Sequence, residues 1–255
     1  MSPVMQPKPI FALLLRCCLM LCVSFLIGGG NAAANDFLSD DAYANGETAQ
    51  VADPIEPVNR AIFTLNDKFY IWVLDPVATG YSKVLPADIR GCIGNFFYNL
   101  GEPVRSVNCL LQGRFRDSGL VLSRFALNTI CGVFGLADTA AHEFAIPPIS
   151  ATLGETLATW GIGDGFYVVA PLLGPSTVRD LTGTVVDSLA MASYYPWSDD
   201  ELSPYTLTGV NTVNRTSLHL GEYDQLKSLS FDPYIAFRNG YFQMRSKTRN
   251  HSQTK

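Results

Sequence analysis

Charge is scarce in this chain. Asp, Glu, Lys and Arg make up 16% of the residues, against about 25% in ordinary soluble domains. The balance is acidic, with a formal net charge of −5, whereas a nucleic-acid footprint is basic, so no nucleic-acid partner is expected. Long apolar runs are missing outside the extreme N-terminus, which excludes a polytopic helical membrane protein. A hydrophobic content of 47% excludes wholesale disorder. The motifs of serine hydrolases, zinc proteases, P-loop proteins and dinucleotide-binding proteins are all absent. Gly161-Ile162-Gly163-Asp164-Gly165 has the glycine density of a phosphate loop. A phosphate cradle opens into a helix N-terminus, but here the apolar stretch Phe166–Leu173 follows, so the segment reads as a turn. His142, His219 and His251 are isolated, and Asp164, Asp180 and Asp187 do not match a calcium-loop spacing. Ser176, after Gly174-Pro175, reads as a helix N-cap. With no catalytic constellation assembled, neither an enzyme nor a cofactor is expected.

What is present begins with a leader. Lys8 supplies a positive start, Cys17–Ile27 an apolar stretch, Gly28–Gly30 a break and Ala32-Ala33-Ala34 a small-residue cleavage site. Residues 1–34 therefore read as a signal peptide. Cleavage there removes Lys8 and Arg16, leaving 16 bases against 23 acids and a net charge of −7. Any membrane affinity must then come from apolar area rather than from a basic surface. Cys92, Cys109 and Cys131 remain, each among apolar neighbours, and read as buried thiols.

Residues 35–52 form an acidic linker that lacks the apolar surface to offset its ordering entropy. The folded body spans 53–245, with a polar tail over 246–255. Asp53-Pro54-Ile55-Glu56 reads as a helix start, with Asp53 as the cap. Val58, Ile62, Leu65, Phe69 and Trp72 follow at helical spacing. Further helices are expected over Pro86–Leu100, Glu102–Gly113, Phe115–Cys131, Thr152–Trp160, Ser176–Met191, Pro204–Leu229 and Pro233–Arg245. The only good strand candidate is Phe166–Leu173, placed as in a hairpin, so the fold class is mainly α. Phe125–Ala137 and Phe166–Val178 are each thirteen residues without a charge. As helices they would reach about 20 Å, too short for a hydrocarbon core of about 30 Å but long enough for one leaflet. Both remain equally readable as core segments of a soluble helical protein.

Several blocks resemble the MlaA (VacJ) family of outer-membrane lipid-transport proteins. They are Asp53-Pro54-Ile55-Glu56-Pro57-Val58-Asn59-Arg60; Asn95-Phe96 with Asn99-Leu100, Glu102-Pro103 and Asn108; Arg124-Phe125 with Leu127-Asn128-Thr129; Gly161-x-Gly163-x-Gly165-x-Tyr167; Arg179-Asp180; and Asp232-Pro233-Tyr234-Ile235 with Arg238 and Tyr241. The resemblance covers about 53–245 in the family's order. It implies a ring-shaped helical bundle embedded in one leaflet of the outer membrane, carrying a glycine-bearing hairpin. Phospholipid would pass through an amphipathic channel to a soluble periplasmic carrier resembling MlaC, beside an outer-membrane porin. Candidates for the lipid channel or its gate are Gly161, Gly163, Gly165, Phe166, Tyr167, Arg179, Asp180, Asn59 and Arg60, each of which also has an ordinary structural reading. One departure stands out. Family members are lipoproteins, yet Cys22 follows Leu19-Met20-Leu21 and no convincing lipidation site precedes it. Cleavage at Ala32–Ala34 without lipidation is expected, with acylation of Cys22 the alternative. The competing readings are a porin-binding scaffold without a channel and a hydrolase built on Ser176.

Overall fold

A computed structural model describes residues 53–193 and 203–253. The leader and the linker lie outside the described residues. The architecture is mainly helical: α1 (Glu56–Phe69), α2 (Asp75–Val84), α3 (Ala87–Leu100), α4 (Glu102–Leu111), α5 (Phe115–Ile130), α6 (Thr139–His142), α7 (Leu153–Thr159), α8 (Val178–Ser193), α9 (Ser203–Leu218), α10 (Glu222–Ser228) and α11 (Pro233–Gln253). Between α7 and α8, β1 (Tyr167–Ala170) pairs antiparallel with β2 (Gly174–Thr177), Tyr167 opposite Thr177 and Ala170 opposite Gly174.

Several sequence expectations are corrected. Asp53 does not cap α1, whose flanking Ile55 makes no side-chain bond; the carboxylate instead reaches Asn59, Tyr234 and Arg238. Ser176 does not cap α8 either. It lies in β2, and the hydroxyl that accepts from the Asp180 amide belongs to Thr177. The helix expected over 204–229 breaks at Gly221, whose φ of 84° starts α10 on a new axis. A π-helical segment at Tyr70–Leu74 runs α1 into α2 without a break. Pro76 brings no N–H to the carbonyl one turn back, and the widened turn sits where that bond is missing. The last helix continues to Gln253, into the stretch read as a tail. Of the three thiols, all free, Cys109 is buried, Cys92 half-buried and Cys131 exposed. Elsewhere the elements follow their local signals. Thr152 and Glu155 close a reciprocal capping box on α7.

The distribution of polarity is inverted. Among the described residues, 15 polar or charged side chains are buried against 12 apolar ones, and four of those twelve are alanines. On α5 the buried stripe is Ser118, Val121, Arg124 and Asn128, while Phe115, Leu122 and Ile130 face outward. On α4 the buried residues are Glu102, Ser106, Asn108 and Cys109, with Val107, Leu110 and Leu111 exposed. Hydrogen bonds therefore hold the helices together where a soluble protein would use aliphatic packing. Ser106 meets Ser118 at 2.8 Å. Arg124 meets Glu102 at 3.1 Å and Asp138 at 3.0 Å. Asn108 donates to Asp187, which also receives the Leu153 amide. At the crossing of α7 and α8, Gly183 approaches Gly154 so closely that a Cβ would lie 2.3 Å from its backbone nitrogen. Such an arrangement leaves the apolar side chains for the surroundings.

Candidate functional site

Nearly all the candidate residues assemble around the β-hairpin, where the first and last helices of the described body meet. Asn59 is wholly buried on α1. Its amide donates to the Tyr167 carbonyl at 3.1 Å, and its oxygen accepts from the Val169 amide at 2.9 Å. Two turns along the same helix face, Asn66 repeats the arrangement, donating to Ala170 O at 3.0 Å and accepting from Leu172 N at 2.9 Å. The two side-chain amides thus stand in for a third strand on the free edge of β1, satisfying backbone groups that would otherwise be orphaned. Asn59 also donates to Asp53 at 2.8 Å.

The other face of β1 is covered by α11. Tyr167 and Val169 pack with Tyr234 and Phe242 in one cluster. Burial pushes the Tyr167 phenol up, and burial with the bond to Asp53 does the same for Tyr234, so both stay protonated well beyond neutral pH. Arg60 joins α1 to the start of α11, pairing with Asp232 at 2.8 Å and with Glu56 at 2.6 Å. Its guanidinium also lies 4.5 Å from the centre of the Tyr234 ring.

Arg179 and Asp180 lie at the open end of the hairpin, just beyond the Tyr167–Thr177 pair. Arg179 pairs with Asp164, donates to Ile162 O at 2.7 Å and reaches Asp180 at 3.3 Å. Asp180 accepts from the Tyr241 hydroxyl at 2.7 Å and pairs with Arg245 of α11. Two acids and two bases thus neutralise one another across the glycine segment, α8 and α11. Gly161 and Gly165 hold φ values of 84° and 72°, conformations that require glycine. Gly163 is different: it has no positive φ, and nothing lies within 4 Å of a Cβ built there. Phe166 is half-buried beside the hairpin, and its carbonyl accepts from the Val178 amide. Tyr167, 2% exposed, lies inside the cluster.

The arrangement contains no nucleophile–base pair. The Ser176 hydroxyl donates to the Thr177 carbonyl at 3.3 Å. His142 lies on the exposed side of α6, and His219 bonds Glu222 on the surface. Among the described residues no group of three or more His, Cys, Asp or Glu could hold a metal ion. The site can instead hold three elements in a fixed relation through polar contacts. Around it the exterior is apolar: Trp72 is 71% exposed and Phe115 72%, with Val84, Trp160, Leu172, Leu173 and Phe231 also outward. Among the described residues no helix is long and apolar enough to cross a membrane.

Asn66, Glu102, Asp138 and Arg245 were missed as organising residues. Two asparagines seven apart on an otherwise apolar helix face were a usable signal for the first. For the others, charge on a helix flanked by apolar residues reads equally as a solvated face.

Comparison with known proteins bears on all of this. A family profile described as MlaA lipoprotein matches residues 51–248. The "Intermembrane phospholipid transport system lipoprotein MlaA" of Shigella flexneri is 34% identical over 210 residues, 80% of this chain and 81% of that protein. The protein of the same name from Haemophilus influenzae is 33% identical over 207 residues, 78% of this chain and 81% of that protein. A solved structure, described as "Structural basis for maintenance of bacterial outer membrane lipid asymmetry", matches with a TM-score of 0.64 at 33% identity, covering 77% of this chain and 98% of that one.

Proposed function

Because the chain belongs to the MlaA lipoprotein family, we propose that it is a phospholipid-transport component of the bacterial envelope that maintains outer-membrane lipid asymmetry without covalent chemistry. The observation that carries this reading is the inverted polarity. Charged and amide side chains tie the helices together inside, and large apolar side chains cover the outside. A body of this kind suits a surrounding of hydrocarbon, because unpaired polar groups there are costly while apolar ones are not.

On this reading the ring occupies the periplasmic leaflet of the outer membrane. A phospholipid headgroup crosses along polar surface while its acyl chains stay in the bilayer, so the barrier falls without any bond being made or broken. The glycine segment, with Gly161, Gly163, Gly165 and Phe166, borders the passage, while Tyr167 and Arg179, both buried, and Asp180 hold the hairpin behind it. Asn59 and Arg60 fix its first helix. A soluble carrier collects the lipid in the periplasm, and a porin holds the ring in place.

Gly163 provides the test. Nothing lies within 4 Å of a Cβ built there, so a side chain can leave the backbone without a clash. In a deletion strain, outer-leaflet phospholipid should rise, as read by an impermeant amine-reactive probe, and survival in detergent should fall. The native chain should restore both and Gly163→Trp should not, although it accumulates normally. A deletion that leaves asymmetry intact refutes the transport reading. If Gly163→Trp complements as well as the native chain, the exposed apolar surface serves a porin-binding scaffold instead.

A further inference from the structure

We infer that Arg238, in the second turn of α11, is a phosphate-binding residue whose guanidinium takes the oxygens of a phosphate group, from a phospholipid headgroup or from free phosphate. The inference rests on the transport reading and names one residue that would hold the transported headgroup.

Among the described residues three arginines are buried: Arg124, Arg179 and Arg238. Two of them are held by acids of the chain. Arg124 meets Glu102 at 3.1 Å and Asp138 at 3.0 Å, and Arg179 meets Asp164 and the Ile162 carbonyl. Arg238 differs. It is 8% exposed, and its one ion contact is Asp53 at 3.6 Å, beyond hydrogen-bond reach. Its Nε is sealed from solvent and has no partner, whereas the two terminal nitrogens are not sealed. A guanidinium carries five donors in a planar fork and stays charged at any ordinary pH. Burying it with those donors unused is costly.

The neighbours do not fill the gap. Asp53 offsets the charge, but both its oxygens are already taken, Oδ1 by Asn59 at 2.8 Å and Oδ2 by the Tyr234 hydroxyl. The Tyr234 ring centre lies 5.8 Å from the Arg238 guanidinium, at the outer edge of cation–π range, while Arg60 occupies the same ring at 4.5 Å. Arg60 is committed to Glu56 and Asp232; Arg238 is not committed to any acceptor at bonding distance. What completes such a group is an anion that presents two oxygens to the fork, and phosphate esters do so. A phospholipid carries one beside its acyl chains, so the unused donors and the cargo of the transport reading match in charge and in geometry.

Lipid binding by the full chain in detergent tests the inference. Phosphatidylglycerol and a diacylglycerol with the same acyl chains differ only in the phosphoglycerol group, and the native chain should retain the first in preference to the second. Arg238→Met keeps the apolar stem and should lower phosphatidylglycerol binding by about tenfold or more, the factor that goes with one charge-assisted hydrogen bond. Diacylglycerol binding and helical content should stay unchanged. Arg238→Lys keeps the charge without the fork and should fall between. Inorganic phosphate alone, compared with chloride at equal ionic strength, separates the two sources. If it raises the melting temperature of the native chain but not of Arg238→Met, while phosphatidylglycerol binding ignores the substitution, the residue holds free phosphate and not a headgroup. Phosphatidylglycerol binding that ignores Arg238→Met, with no stabilisation by phosphate, overturns the site. Equal loss of both lipids also overturns it, since that marks a structural role. The deletion and Gly163→Trp phenotypes decide the transport reading separately, so either idea can fail alone.

Discussion

Arg124 offers the sharpest test of a polar interior. It is wholly buried and joins three segments: Glu102 of α4, Asp138 ahead of α6, and the Ile146 carbonyl. Arg124→Met keeps the apolar stem and removes the guanidinium. Breaking a buried ion pair from one side costs about 3–5 kcal/mol. Here each acid retains another partner. Glu102 keeps Arg105 at 2.8 Å, and Asp138 keeps Asn128 and the Ala141 amide. The loss should therefore fall near the lower bound, about 3 kcal/mol. With a urea dependence of about 1–3 kcal/mol per molar, the unfolding midpoint of the lipid-reconstituted protein should drop by about 1–3 M, followed by tryptophan fluorescence. Arg116→Met, on the exposed side of α5, should leave the midpoint in place. Removing both charges as Arg124→Met/Glu102→Met should recover part of the loss, with a coupling of about 1–3 kcal/mol. An unchanged midpoint in the single variant, or strictly additive effects in the double, would refute the idea that paired buried charges hold α4, α5 and α6 together.

Asn59→Ala strips partners from the Tyr167 carbonyl and the Val169 amide, and should cost about 1–3 kcal/mol for each group left buried and unpaired; hydrogen exchange should rise selectively in β1. Gly183→Ala forces a methyl into the Gly154 backbone and should destabilise by about 1–3 kcal/mol, lowering the melting temperature, whereas Gly209→Ala, with open space around it, should not. The bond to Arg60 holds the Asp232 carboxyl below its ordinary value near 3.8. A lowered carboxylate contributes stability that is fully present above the unfolded value and lost as pH falls through the folded one. The gap in midpoint between wild type and Asp232→Asn should thus be constant above pH 3.8 and close below it; a gap that persists to lower pH rules the pair out as its source.

Helix positions were legible because their signals are local. Proline and acid at helix starts, glycine at breaks and apolar spacing marked α1, α3, α4, α5 and α7 to within a few residues, and the glycine- and proline-bearing turns flanking Phe166–Leu173 marked a hairpin. Arg179, Asp180, Asn59 and Arg60 were found as members of family blocks, yet the pairs they form were not. Arg245 lies 65 residues beyond Asp180 and Asp232 lies 172 beyond Arg60, and no local pattern pairs them. Asp53 failed as a cap because a buried tyrosine and arginine, contributed by the far end of the chain, compete for the same carboxylate.

The amino-acid sequence by itself determined where the chain turns helical, where glycine lets it reverse, and that apolar area rather than positive charge would govern any contact with lipid. Only the tertiary structure decided which side of each helix faces inward. Amphipathic spacing separates an apolar stripe from a polar one but does not say which of them meets the surroundings. In α4 and α5 that choice was made by Glu102, Arg124 and Asp138, whose charges meet one another only when those faces turn inward.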